Sequence, residues 1–125
     1  IANSAGEGRC AYTTRPELAY AYARMLTEDK HGECTYHLHG ERLTQTQLTE
    51  LMNQTFGTDL RYRAMTAEAY KADRIAELGE FMGTVIAGIY QSIHDGALDR
   101  PSDFESAAGR PHQSWNDYFA SLKSA

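Results

Sequence analysis

Strand signals in this chain are few, brief and separated by long helical stretches. Segments 9–13, 35–38 and 60–64 carry β-favouring or alternating residues, and each is too short to stand in a sheet alone. Their order, strand–helix–strand–helix–strand, is that of the tail of a larger parallel sheet. The pattern therefore predicts an α/β, helix-rich fold whose remaining strands lie outside these residues. A start at Ile1 rather than Met agrees with a piece of a longer chain.

The helices are marked more sharply than the strands. Thr14 followed by Glu17 is a capping box with Pro16 in the first turn, and Leu18, Ala21, Tyr22, Met25 and Leu26 make one apolar stripe. Thr44 and Gln47 form a second box, with Leu43 and Leu48 placed as a hydrophobic staple and Gly57 as the stop. Thr66 caps a third helix, to about Leu78. Gly79 separates it from the most apolar one, residues 80–94, where Met82, Val85, Ile86, Ile89, Tyr90 and Ile93 follow the helical period. Ser102 with Glu105 reads as a further box opening a short helix, and Trp115, Phe119 and Leu122 share a face of the last one. The count is about three short strands and five or six helices in a single domain, 1–125.

Composition excludes several classes. Acidic residues number 17 against 12 basic ones, a net charge of −5, which is the wrong sign for a protein that grips phosphate backbones. No apolar run approaches the ~20 residues that span a bilayer. Two cysteines, Cys10 and Cys34, are too few for a disulfide framework and fit reduced thiols in a cytoplasmic protein.

No catalytic residue and no metal site emerges from spacing. His31, Cys34, His37 and His39 have suitable chemistry for zinc, but no second pair follows at the required distance. The carboxylate pairs Glu77/Glu80 and Asp99/Asp103 lie in polar stretches that favour solvated ions. Gly6 and Gly8 precede a strand, whereas a dinucleotide fingerprint follows one and opens a helix, so no cofactor-gripping turn is expected here. Gly83 and Gly88 each weaken the apolar helix by about 1 kcal/mol relative to Ala, which predicts a close approach at both. Phe81, Met82, Ile86 and Tyr90 of that helix suit the wall of a cleft for flat aromatic ligands, with core packing or a subunit contact as alternatives.

The run Tyr12-Thr13-Thr14-Arg15-Pro16-Glu17-Leu18-Ala19 resembles a Thr-Arg-x-Glu/Asp-x-Ala segment of NmrA-like proteins, atypical short-chain dehydrogenases/reductases that include NAD(P)H:quinone oxidoreductases and triphenylmethane reductase. The resemblance continues in order. Residues 31–38, His-Gly-Glu-Cys-Thr-Tyr-His-Leu, are similar to the family's His-Glu-x-Lys-x-Tyr-x-Leu strand, and Leu43-Thr44-Gln45-Thr46-Gln47-Leu48 to its Trp-Thr-x-x-Glu-Leu helix start. Residues 87–96 resemble the helix before its Lys-Gly turn, Ser102-Asp103 its Thr-Ser-Asp-Asp-Leu, and Gly109-Arg110-Pro111 its closing Gly-x-Pro. Cys34-Thr35 stands where the family has lysine, and Leu43 where it has an aromatic residue.

The resemblance implies the C-terminal portion of a Rossmann-type protein, a substrate-side domain whose N-terminal Rossmann core is absent. It implies an intact parent that binds NAD(P)H and reduces a quinone or other small aromatic acceptor, while this piece alone holds no cofactor. Thr13, Thr14 and Arg15 are its cofactor-side candidates, with Thr14 equally explained as a helix cap. Two other readings stay open: a non-catalytic nucleotide-sensing regulator, and an interaction module that forms a homodimer through helix 80–94.

Overall fold

A computed structural model describes residues 1–124. Four two-residue strands, β1 (Ala2–Asn3), β2 (Cys10–Ala11), β3 (Arg42–Leu43) and β4 (Arg63–Ala64), accompany six helices. These are α1 (Arg15–Thr27), α2 (Gln45–Phe56), α3 (Ala67–Leu78), α4 (Glu80–His94), α5 (Phe104–Ala108) and α6 (Trp115–Lys123), with a 3-10 turn at Asp29–His31. The fold is helix-rich α/β, as the sequence pattern predicts.

The helix starts fall where side chains can satisfy the first free N–H groups. Thr14 accepts from the Glu17 amide, Thr66 from that of Ala69 and Ser114 from that of Asp117. Thr44 and Gln47 form the full reciprocal box, and Gly57 ends α2 in the left-handed region. The short helix α5 departs from expectation. It starts at Phe104 behind Asp103, which supplies no side-chain cap; Ser102 Oγ accepts from the Phe104 amide instead.

The strands are shorter and placed differently. β1 pairs in parallel with β4, Ala2 opposite Arg63 and Asn3 opposite Ala64, and β2 pairs with β3. Segment 35–38 is extended but joins no ladder. Its backbone bonds go to the loop ahead of α5: the His37 amide donates to Asp103 Oδ2 at 2.9 Å, and the Asp103 amide donates to His37 O at 2.8 Å. Side-chain pattern records the extended conformation, whereas strand identity depends on a neighbouring backbone.

The chain forms two compact units, one made of Ile1–Cys10 with Leu43–Asp99, the other of Ala11–Arg42 with the chain from Arg100 on. In the first, α3 and α4 form a hairpin through Gly79, whose φ of +85° and ψ of 166° suit glycine alone. The helices meet backbone to backbone at Gly83, where a Cβ would fall 2.5 Å from Ile75 Cα. Gly88, expected to mark a second close approach, has open space beside it. In the second unit, α5 packs on α1 through Ala21, Phe104 and Ala108, with Leu38 against them.

Candidate functional site

In the first unit the helical period divides α4 into two faces. Gly83, Ala87 and Ile93 are buried, and Tyr90 turns its ring edge to Tyr70 at 5.2 Å. Phe81, Met82, Val85 and Ile89 are exposed, Phe81 to 77%. Of the four expected cleft residues, Phe81 and Met82 thus stand in solvent, while Ile86 and Tyr90 are half-buried. A helix already packed through a glycine carries an apolar outer face with no cover within the unit.

Beside this helix lies a polar network that periodicity does not reveal. Tyr62 Oη accepts from the Gly6 amide at 2.9 Å and lies 3.1 Å from both Asn3 O and Asn3 Oδ1; Asn3 Nδ2 donates to Gln45 Oε1 at 3.0 Å. Burial chiefly pushes the Tyr62 phenol above its ordinary pKa. The Ser4 hydroxyl, also buried, has no hydrogen-bond partner among the described residues. Gly6 and Gly8 belong to this loop between β1 and β2. A Cβ on Gly6 would lie 3.1 Å from the His94 ring, and one on Gly8 would lie 2.2 Å from Ile93 O. Their room is taken up by α4, so they do not fit the pyrophosphate cradle of a dinucleotide cofactor, which needs a strand–turn–helix.

In the second unit the candidates Thr13, Thr14 and Arg15 separate. Thr14 is spent on capping α1, and Arg15 is exposed at its first position. Thr13 Oγ1 reaches His112 Nε2 at 3.0 Å. Below them, Arg110 grips buried Glu17 with both terminal nitrogens, at 2.9 and 3.0 Å, and lies over the Tyr20 ring at 4.2 Å. The Arg110 hydrogen bond is the main force holding the Glu17 carboxyl below its ordinary pKa, reinforced by the Gln113 amide.

The histidine-rich segment disperses its side chains. His31 lies between Tyr36 Oη at 2.8 Å and Glu28 Oε2 at 3.3 Å. His39 donates from Nδ1 to Gly40 O at 2.7 Å, and its Nε2 has no partner among the described residues. Among those residues no group of three or more His, Cys, Asp or Glu could hold a metal ion. Cys10 is buried and Cys34 exposed. An open cleft of about 360 Å³ lies beside His31, lined by Tyr22, Met25, Leu26, Glu28 and Gly32. No described helix is long and apolar enough to cross a membrane.

Neither a family model nor a curated protein sequence matches this chain. Solved structures do. Triphenylmethane reductase from Citrobacter sp. is 26% identical with a TM-score of 0.84, over 100% of this chain and 44% of its own. The NADPH-dependent quinone oxidoreductase of Escherichia coli, in complex with NADPH, is 24% identical with a TM-score of 0.87, over 98% and 44%. A nucleoside-diphosphate-sugar epimerase from Staphylococcus aureus is 22% identical with a TM-score of 0.84, over 96% and 43%. The chain spans less than half the length of each, and its fold is that of the portion it covers in them.

Proposed function

We propose that this chain is the substrate-side portion of an NAD(P)H-dependent oxidoreductase acting on quinones or similar flat aromatic acceptors. The outer face of α4, with Phe81 and Met82 at one end and Ile86 and Tyr90 toward α3, forms one wall of the acceptor pocket. The observation that carries this reading is the exposed apolar row on a helix whose packing is already satisfied at Gly83. Large apolar side chains left in water favour a flat apolar ligand or a covering partner. Similar folds include a triphenylmethane reductase and an NADPH-dependent quinone oxidoreductase.

The cofactor-holding Rossmann core belongs to the rest of the parent, and the dinucleotide would supply the reducing equivalents. This chain contributes orientation of the acceptor and exclusion of water. The test is the intact parent with NADPH and a simple quinone. Turnover is expected, with Phe81→Ala and Ile89→Ala raising the quinone KM and leaving that for NADPH unchanged. Nucleotide binding without turnover would mark a regulator instead. The 125-residue chain is expected to be inert, and NADPH oxidation by it at enzymic rates would overturn the reading.

A further inference from the structure

The end of α1 and the turn that follows it, all within the second unit, line an open cleft of about 360 Å³. α1 meets α5 through Ala21, a small residue, so its larger apolar side chains are left outside that contact. Met25 and Leu26 follow Tyr22 by three and four positions and so share its face. Leu26 is 87% exposed and Tyr22 51%. These three supply the apolar lining of the cleft, and Glu28, His31 and Gly32 complete it. The volume is at the small end of the roughly 300–1,000 Å³ of ligand pockets, enough for a molecule of one or two rings.

The ionised group lining the cleft is Glu28. Its Oε1 accepts from Arg24 Nε, and its Oε2 lies 3.1 Å from Lys30 Nζ and 3.3 Å from His31 Nε2. The Lys30 hydrogen bond, reinforced by Arg24, holds the carboxyl below its ordinary pKa. A carboxylate offers about four acceptor positions, and the three donors leave one for a further partner. His31 has none to offer. Its Nε2 donates to the carboxylate, which only accepts, and Nδ1 takes the Tyr36 hydroxyl at 2.8 Å. With both nitrogens occupied, the imidazole adds ring surface to the cleft rather than a hydrogen bond.

These groups select a ligand by charge and by the sense of its hydrogen bond. An anion is repelled by the Glu28 carboxylate, and a cation by Arg24 and Lys30, which flank it. A molecule with acceptor atoms alone leaves the open position on Glu28 without a donor, which costs binding when water is displaced. A neutral hydroxyl fills that position. We propose that this cleft binds a neutral aromatic alcohol of the phenol class, its ring against Tyr22, Met25 and Leu26 and its hydroxyl donating to Glu28. The site is separate from the α4 face and does not depend on the acceptor reading above.

The 125-residue chain with 2-naphthol and its methyl ether, 2-methoxynaphthalene, as probes tests this. In an NMR titration 2-naphthol should shift the Gly32 amide and the Met25 methyl. It should bind about tenfold or more tightly than the ether, the difference a hydrogen bond to a charged group makes. Glu28→Gln keeps the side-chain shape and removes the charge, and it should shrink that ratio while leaving the ether's affinity unchanged. Leu26→Ala should weaken both probes alike, by roughly fivefold for the apolar area lost. Leu26 stands in solvent, so the variant should keep the wild-type circular dichroism and melting temperature. Failure of 2-naphthol to bind, equal affinity for the two probes, or Leu26→Ala without effect would each overturn the site. Shifts centred on Phe81 and Met82 would overturn it as well, by placing the probe on the α4 face.

Discussion

The two helix pairs of this molecule are held by opposite means. The α3–α4 hairpin closes at a glycine, so the helix backbones touch at Gly83 and large side chains of α4 are left outside. The α1–α5 pair packs through the large aromatic Phe104, at 2% exposure in a cluster with Ala21 and Ala108, and the Glu17–Arg110 pair ties the following loop to α1. The difference teaches where a surface is free for function. A helix packed through its smallest residue keeps its apolar residues available, and a helix packed through its largest does not.

The comparison can be broken or sharpened by substitution. Phe104→Ala should cost the most, about 4 kcal/mol in urea denaturation, because it removes a large side chain that is 2% exposed and leaves a cavity. Gly83→Ala should cost about 3 kcal/mol, since the added methyl meets the α3 backbone and the helices must part. Arg110→Ala should cost about 2 kcal/mol by leaving the buried Glu17 carboxylate short of donors, with the part-exposed site admitting some water. Gly88→Ala should have the smallest effect and the opposite sign, a gain of at most about 1 kcal/mol from helix propensity in open space. If the two glycines of α4 respond alike, the assignment of its inner and outer faces is wrong.

The Glu17 pair also predicts a pH dependence. Its folded pKa is depressed, so its contribution is complete above the ordinary glutamate value of about 4.3 and declines as pH falls below it through the folded value. The acid limb of a stability–pH profile should therefore flatten in Arg110→Ala, and an unchanged limb would show that another carboxylate sets it.

Much of the helical framework was legible in the residues. Thr14, Thr44 and Thr66 cap helices that begin where their spacing predicts, because capping is decided within four residues of chain. The strands were less legible. Segment 35–38 reads as a strand and forms none, while Arg42–Leu43, where only the staple position of Leu43 is read, pairs with Cys10–Ala11. Gly83 and Gly88 look alike in sequence, and only the position of Ile75 tells them apart. In the candidate site, the α4 apolar residues and Thr13 were visible as residue types. His112 was not, because it carries no motif and its partner hydroxyl is 99 positions away. Asn3 and Tyr62 escaped for the same reason, at a separation of 59.

The residues themselves determined the number and bounds of the main helices, the apolar character of α4, the acidic charge balance and the lack of a glycine-rich nucleotide turn. Each depends on neighbours a few positions apart, where side-chain reach and backbone hydrogen bonding act locally. Tertiary structure decided which face of α4 is covered, which glycine is pressed by a neighbouring backbone, and which hydroxyl meets an imidazole. Those outcomes depend on distances between segments remote in the chain, and no local pattern encodes a distance that folding has yet to set.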